Sequence, residues 1–323
     1  MTSNFSACAR LSTLELLDAR KRTGSKPGRR NDGRRLALVI EGGGMRGVIT
    51  AGMLSALEEL GFRDCFDAVY GLSAGAFAGA YFIAGQARYG SSIFREVNNR
   101  RFINLWRIAL GRPAVSLEVL VDDICATRKP LDFERLQASG ISLSVIAASV
   151  ERKCSIVLDN FIDRDDLLQA LRASAQIPFF TGPPVRFRGD RFLDASLYVS
   201  IPFQPAIDDK ATDVMILLSR PAGYFRREPS WINRRLVLPF LAHLDPALPP
   251  LYAARAAIYR AEVDAIQRHV AQRDVPEVLV VQPPPETHNV EAFETSHEKL
   301  AAGAKAGSRA VYAALGPISK GAD

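Results

Sequence analysis

The stretch Leu36-Ala37-Leu38-Val39-Ile40-Glu41-Gly42-Gly43-Gly44-Met45-Arg46-Gly47 decides the fold. Its first five residues have the length and composition of a parallel strand buried on both faces. Three glycines follow, and a helical pattern is predicted over Ile49 to Leu60. Consecutive glycines let a chain turn so that several N–H groups face one concavity, and a helix N-terminus behind them adds partial positive charge. The loop therefore suits an anion. Gly42-x-Gly44-x-x-Gly47 also satisfies the dinucleotide-binding fingerprint, which needs an acidic residue about 20 positions on to hold a ribose. Glu58 and Glu59 fall inside the predicted helix, which leaves Asp64 or Asp67 and makes this nucleotide-binding, oxidoreductase reading the weaker one.

The next apolar run, Ala68-Val69-Tyr70, leads into Gly71-Leu72-Ser73-Ala74-Gly75. A serine between two glycines at a strand-to-helix turn is the pattern of a nucleophile elbow, with Gly71 and Gly75 removing Cβ atoms from a tight bend. Ser73 is the candidate nucleophile, and the first glycine loop is its candidate oxyanion hole. Arg46 would place fixed positive charge nearby. A serine hydroxyl needs a base. The four histidines, His243, His269, His288 and His297, lie late in the chain and outside any recognisable motif. The order Ser, Asp, His nevertheless leaves a His-dependent esterase open. Asp194, at the end of a short predicted strand in Gly189-Asp190-Arg191-Phe192-Leu193-Asp194, is the favoured partner, because a strand-end carboxylate can point into a cleft. An aspartate is a weak base at its reference pKa of about 3.9, so such a site must desolvate it or set it directly against the hydroxyl.

Gly42 to Gly47, Gly71 to Gly75 and Asp194, in this order and at these separations, resemble the patatin-like phospholipases over roughly residues 36 to 220. The stretch Leu167 to Pro178 and the passage from Asp194 through Ile201-Pro202 to an apolar run at Val214 are similar as well. Ser219-Arg220-Pro221 resembles bacterial stand-alone members. The resemblance implies a three-layer αβα fold with a mostly parallel central sheet and a Ser73–Asp194 catalytic dyad. It implies an oxyanion hole from Gly42, Gly43, Gly44, Met45, Arg46 and Gly47, hydrolysis of acyl esters such as (lyso)phospholipids, and no metal or other cofactor. One position departs from the pattern. Family members carry Asp-Gly-Gly or Asp-Gly-Ala where this chain has Asp194-Ala195-Ser196. If position 195 needs φ > 0, alanine costs about 1 kcal/mol and tilts the carboxylate; if φ is negative, the change is nearly harmless. A catalytically weakened, lipid-binding relative is thus the alternative from a different functional class.

The chain has 323 residues, 48% of them hydrophobic, enough for one large core. Nine Arg or Lys and three Asp or Glu lie in residues 1–35, so the net charge of +6 resides there and the remainder is balanced. That distribution excludes a nucleic-acid-binding body. It suggests a flexible basic arm over 1–35 that touches an anionic membrane, each basic residue contributing about 1 kcal/mol at such a surface. The expected division is this arm, a catalytic domain over 36–220, and a helical extension over 221–323 packed on the same domain. No signal peptide or membrane-spanning run is visible, so the expected location is the cytoplasm, with peripheral membrane contact in view. Cys8, Cys65, Cys125 and Cys154 form no CxxC pair and indicate neither zinc nor disulfides.

Apolar runs near 36–40, 66–70, 141–148, 154–158, 213–218 and 278–281 alternate with helical patterns, which argues for a parallel sheet covered on both faces. Residues 91–130 read as an insertion that walls the cleft. Residues 231–241 mix aromatic and aliphatic bulk with paired arginines and fit either an interfacial helix or, more commonly, one packed on the core. Long helices are predicted at 249–272 and 293–315. Oligomeric state is not encoded in any pattern of the sequence.

Overall fold

The computed structural model describes residues 12–319 except Phe225, Arg227 and Arg273; Cys8 lies outside the described residues. Eight strands form one sheet: β1 (Leu36–Ile40), β2 (Ala68–Leu72), β3 (Ser142–Ser149), β4 (Cys154–Leu158), β5 (Val185–Phe187), β6 (Asp190–Asp194), β7 (Asp213–Leu217) and β8 (Glu277–Val281). The order is β5-β6-β3-β2-β1-β7-β8, with β4 also paired to β3. The β1–β2, β1–β7, β2–β3 and β7–β8 pairs are parallel, and the three pairs at the β3 end of the sheet are antiparallel.

Strand β1 shows why both faces are covered. Leu36, Leu38 and Ile40 join one hydrophobic cluster while Ala37 and Val39 join another, so the period-2 alternation of a strand feeds two cores. Helices α1 (Thr13–Thr23), α2 (Val48–Glu59) and α3 (Ala74–Ile83), with Arg164–Ser174 and His297–Ser319, contribute to the first. Helices Phe203–Asp208 and Leu248–Gln272 supply the second through Phe203, Ala206, Tyr259 and Ile266. The result is the expected three-layer αβα arrangement. Strand β2 extends to Leu72, two residues past the apolar run, because the ladder with β3 continues through Gly71 and Leu72. The last helix starts at His297 and not at 293, where the Ser296 hydroxyl accepts the Lys299 N–H at 3.3 Å.

Residues 12–35 correct the expectation of a flexible basic arm. Helix α1 is capped by Ser12 and Glu15 in a capping box and buries Leu16 and Leu17. Arg20 is 2% exposed; its guanidinium pairs with Asp32 at 2.8 Å and Asp67 at 2.7 Å and reaches the carbonyls of Cys65 and Arg34. Arg30 also pairs with Asp67, Arg34 with Asp213 and Lys26 with Asp64. The basic residues therefore answer carboxylates of the sheet's lower rim, a non-local complementarity that a count of charges along the chain does not reveal.

The helix Trp231–Leu244 buries Val237 and Leu241 completely, so it packs on the core, while Trp231 is exposed. Cys65 and Cys125 are buried thiols, Cys154 is an exposed one, and burial pushes the Cys65 thiol up to about 11. Among the described residues no helix is long and apolar enough to cross a membrane, and no group of three or more His, Cys, Asp or Glu could hold a metal ion.

Candidate active site

Strand register brings the two proposed catalytic residues together. Ile146 of β3 pairs with Leu72, the residue before Ser73, and the next residue of β3, Ala147, pairs with Asp194. Since β4 occupies the opposite edge of β3 over Val145–Ser149, β6 continues the line that β2 begins, running the other way. The strand ends that carry Ser73 and Asp194 thus face each other beside β3, although the two residues lie 121 positions apart in the chain. Both are buried, at 4% and 3% exposure, and both line the same cavity of ≈ 770 Å³.

Ser73 stands at φ 53°, ψ −130°, a backbone region that costs a non-glycine residue about 1–3 kcal/mol and is the mark of a nucleophile elbow. The surroundings hold it there. Its N–H donates to the Ser174 hydroxyl at 2.7 Å, which in turn donates to the Ile146 carbonyl at 2.5 Å. Two residues further on, the Gln176 carbonyl accepts the Asp194 N–H at 2.8 Å. The turn leaving helix Arg164–Ser174 therefore grips both halves of the site. A Cβ on Gly75 would lie 2.7 Å from the Ile40 carbonyl oxygen and 2.8 Å from that of Glu41, so the elbow closes against β1 only with glycine. The Asp194 carboxylate accepts the Ser196 N–H at 2.9 Å. Ala195 is fully buried beside Leu72 and Ile146, and it is absent from the residues with positive φ, so the methyl group that replaces the usual glycine imposes no backbone strain.

Across from the elbow, the glycine loop sorts its donors. The N–H groups of Gly42, Gly43 and Gly44 meet no hydrogen-bond acceptor among the described residues, and all three glycines line the cavity beside Ser73. The Met45 N–H donates to the Ala292 carbonyl at 3.0 Å and the Arg46 N–H to the Gly43 carbonyl at 3.2 Å. Met45 and Arg46 thus have no spare backbone donor, so of the six residues expected to form an oxyanion hole these two have no free N–H to offer. Gly47 serves packing: a Cβ there would fall 2.6 Å from Ala74 Cβ.

Arg46 contributes through its side chain. Its Nε donates to Ser219 Oγ at 2.9 Å, and Ser219 gives both its N–H (2.6 Å) and its hydroxyl (2.8 Å) to Glu41. Burial, with Arg220 close by, depresses the Arg46 guanidinium to about 10, still charged at neutral pH. Arg220, Arg226 and Arg255 line the same cavity. Arg226 donates to Ser200 Oγ at 2.9 Å, while Arg220 and Arg255 lie over the rings of Tyr224 and Tyr252. None of these four guanidinium groups forms an ion pair with a carboxylate among the described residues. Burial and its arginine neighbours hold Arg226 down to about 10. No contiguous motif announces this cluster; only the Ser219-Arg220-Pro221 turn carried a local signal.

Ser73 also lines a second, apolar cavity, walled by Phe77, Phe94, Phe102, Val115 and Leu117 among others. Four of these, Phe94, Phe102, Val115 and Leu117, belong to the 91–130 insertion, which does wall the cleft. None of His243, His269, His288 and His297 lines either cavity, and His269 instead bonds the Pro276 carbonyl through Nε2 at 2.7 Å. The geometry gives a His-dependent esterase no base.

Fold and site together define an α/β protein whose nucleophile-elbow serine faces a glycine loop and a strand-end carboxylate. The chain belongs to the patatin-like phospholipase family, whose family model matches residues 38–207. It is 32% identical over 205 residues, 62% of its length, to the uncharacterized protein YjjU of Escherichia coli K12. It is 28% identical over 169 residues, 45% of its length, to the uncharacterized protein YqhO of Bacillus subtilis 168. The chain spans about half the length of these relatives, 56% in each case. Among solved structures, VipD of Legionella pneumophila superposes with a TM-score of 0.51 at 12% identity, covering 88% of this chain and 67% of that one, which is a likeness of fold.

Proposed function

We propose that the protein hydrolyses carboxylic ester bonds of phospholipids or lysophospholipids through Ser73 and Asp194. The observation that carries this reading is the position of Ser73 at the junction of two unlike cavities, one apolar and one lined by arginines. An ester of a fatty acid with an anionic head group has the same division: the acyl chain enters the apolar side, the phosphate faces the guanidinium groups, and the carbonyl falls at the serine. Asp194 accepts the proton as Ser73 Oγ attacks. The N–H groups of Gly43 and Gly44 hold the oxyanion, with the Arg46 charge behind them. Asp194 then hands that proton to the departing alcohol oxygen as the acyl-serine ester forms; water attacks this ester, gives a proton to Asp194, and the proton passes to Ser73 Oγ as the fatty acid leaves. The lipid-binding alternative loses its motive with the negative φ of Ala195.

The test is ester hydrolysis on short p-nitrophenyl esters and on phospholipid vesicles by the wild type, Ser73→Ala, Asp194→Asn and the double variant His243→Ala with His288→Ala. Loss of turnover in the first two variants and its retention in the third is the expected result. A wild type inert on every ester would overturn the hydrolase reading.

A further inference from the structure

Residues 100–112 read Arg-Arg-Phe-Ile-Asn-Leu-Trp-Arg-Ile-Ala-Leu-Gly-Arg, with four arginines and no acidic residue. The structure splits this segment into a buried base and an exposed tip. Phe102, Ile103 and Val115 are buried and line the apolar cavity, and an Ile103–Val115 bridge closes the base. Between them the 3-10 helix Leu105–Leu110 turns Ile108 inward and leaves Leu105 53%, Trp106 84% and Leu110 74% exposed. Asn104 caps it by accepting the Trp106 N–H at 3.1 Å. Three large apolar side chains projecting from six residues contribute nothing to the core and cost free energy in water, which is the signature of an interaction site.

We infer that the 105–110 tip docks on the surface of an anionic lipid bilayer, inserting Trp106, Leu105 and Leu110 to the level of the head groups. Charge complementarity selects this occupant. Arg100, Arg101, Arg107 and Arg112 surround the tip, and among the described residues the one ion pair they form is that of Arg101 with Asp123 at a long 3.8 Å. Arg107 donates to the Arg101 carbonyl at 3.2 Å and so keeps its charge near the tip. A tryptophan rimmed by arginines suits the boundary between head groups and acyl chains, with the basic residues drawing in anionic lipid. Continuity with the apolar cavity gives the contact a purpose, since Val115 and Leu117, on the segment that leaves the tip, wall the space beside Ser73. The docking goes beyond the proposed hydrolysis and holds whether or not Ser73 turns over a substrate.

The chain has two tryptophans, Trp106 and Trp231. In a Trp231→Phe background, emission therefore reports the tip alone. On vesicles of phosphatidylcholine mixed with phosphatidylglycerol, Trp106 emission is expected to shift to the blue and the protein to co-sediment, more weakly at high salt and on phosphatidylcholine alone. Leu105→Ser combined with Leu110→Ser should reduce co-sedimentation on the order of tenfold. An unchanged thermal midpoint and unchanged turnover of a short soluble ester would show that variant to be folded. Ser73→Ala should bind vesicles like the wild type, so failure of docking and failure of hydrolysis are read separately. Trp106 emission unmoved by vesicles, or equal co-sedimentation of wild type and double serine variant, would overturn the inference. So would a blue shift produced by concentrating the protein without vesicles, which would make a second copy of this chain the occupant.

Discussion

The Ser174 hydroxyl accepts the backbone N–H of Ser73 at 2.7 Å and itself donates to the Ile146 carbonyl at 2.5 Å. One fully buried oxygen therefore fixes the strained elbow to the neighbouring strand. Ser174→Ala leaves a buried donor and a buried acceptor unmatched, at a cost of roughly 1–3 kcal/mol of stability. Because the elbow loses its brace, kcat is expected to fall on the order of tenfold with KM nearly unchanged. Urea unfolding and steady-state kinetics on one preparation would check both; a fall in stability with unaltered kcat would limit Ser174 to a structural part.

Gly42 approaches Ser73 so closely that a Cβ would lie 3.2 Å from that of Ser73 and 2.8 Å from the Leu72 carbonyl oxygen. Gly42→Ala must push the glycine loop away from the nucleophile. Displacing an oxyanion donor costs on the order of 100-fold in rate. Turnover of p-nitrophenyl butyrate beside a circular-dichroism spectrum separates this loss from unfolding.

Arg226 has one side-chain hydrogen bond, to Ser200, and sits among three other arginines around the Ser73 cavity. Arg226→Ala is expected to raise KM for an anionic phospholipid by roughly tenfold, in keeping with a charge-assisted contact of about 1.5 kcal/mol, and to leave KM for a neutral ester unchanged. Equal effects on both substrates would place the phosphate elsewhere.

Burial raises the carboxyl of Glu262 to about 7, even though the N–H groups of Ser200 and Ile201 donate to it and oppose that rise. An acid whose folded value lies above its unfolded one favours the folded state while it stays protonated. The contribution is complete below the unfolded value of about 4.5 and is lost as pH rises through about 7. Stability is therefore expected to drop on the order of 1–2 kcal/mol across this window, after allowance for partial exposure. Glu262→Gln should flatten that slope in thermal melts recorded from pH 4 to pH 8.

Arg20 neutralises Asp32 and Asp67 from a buried position. Arg20→Ala removes the ion pair of Asp32 and leaves Asp67 to Arg30 alone, and is expected to destabilise the protein on the order of 3 kcal/mol, which denaturant titration would measure directly. A loss within a few tenths of a kcal/mol would mean that residues 12–35 are dispensable to the body.

The strand β1, the glycine loop, the tight turn at Ser73 and the strand end at Asp194 were legible because each is a local pattern: a run of apolar residues, glycines where a turn must be tight, or a short strand that stops at a carboxylate. Register was not, since the pairing of Ala147 with Asp194 is set by contacts across the sheet. Ser174 escaped for a related reason. A serine near the end of a helix has no local mark that distinguishes a brace from a solvent-facing hydroxyl. Arg220 and Arg226 come from the segment after β7 and Arg255 from the helix Leu248–Gln272, so they converge only when that helix packs against β8. The basic residues of 12–35 misled for the opposite reason: their local pattern is that of a tail, and their partners Asp67 and Asp213 lie far along the chain.

The Met45 N–H finds its acceptor in Ala292, far downstream of the glycine loop. On the ribosome, the serine, the elbow and the aspartate all emerge well before that carbonyl does. The acceptor that fixes the glycine loop thus enters the chain only once synthesis has passed residue 292, long after Ser73 and Asp194.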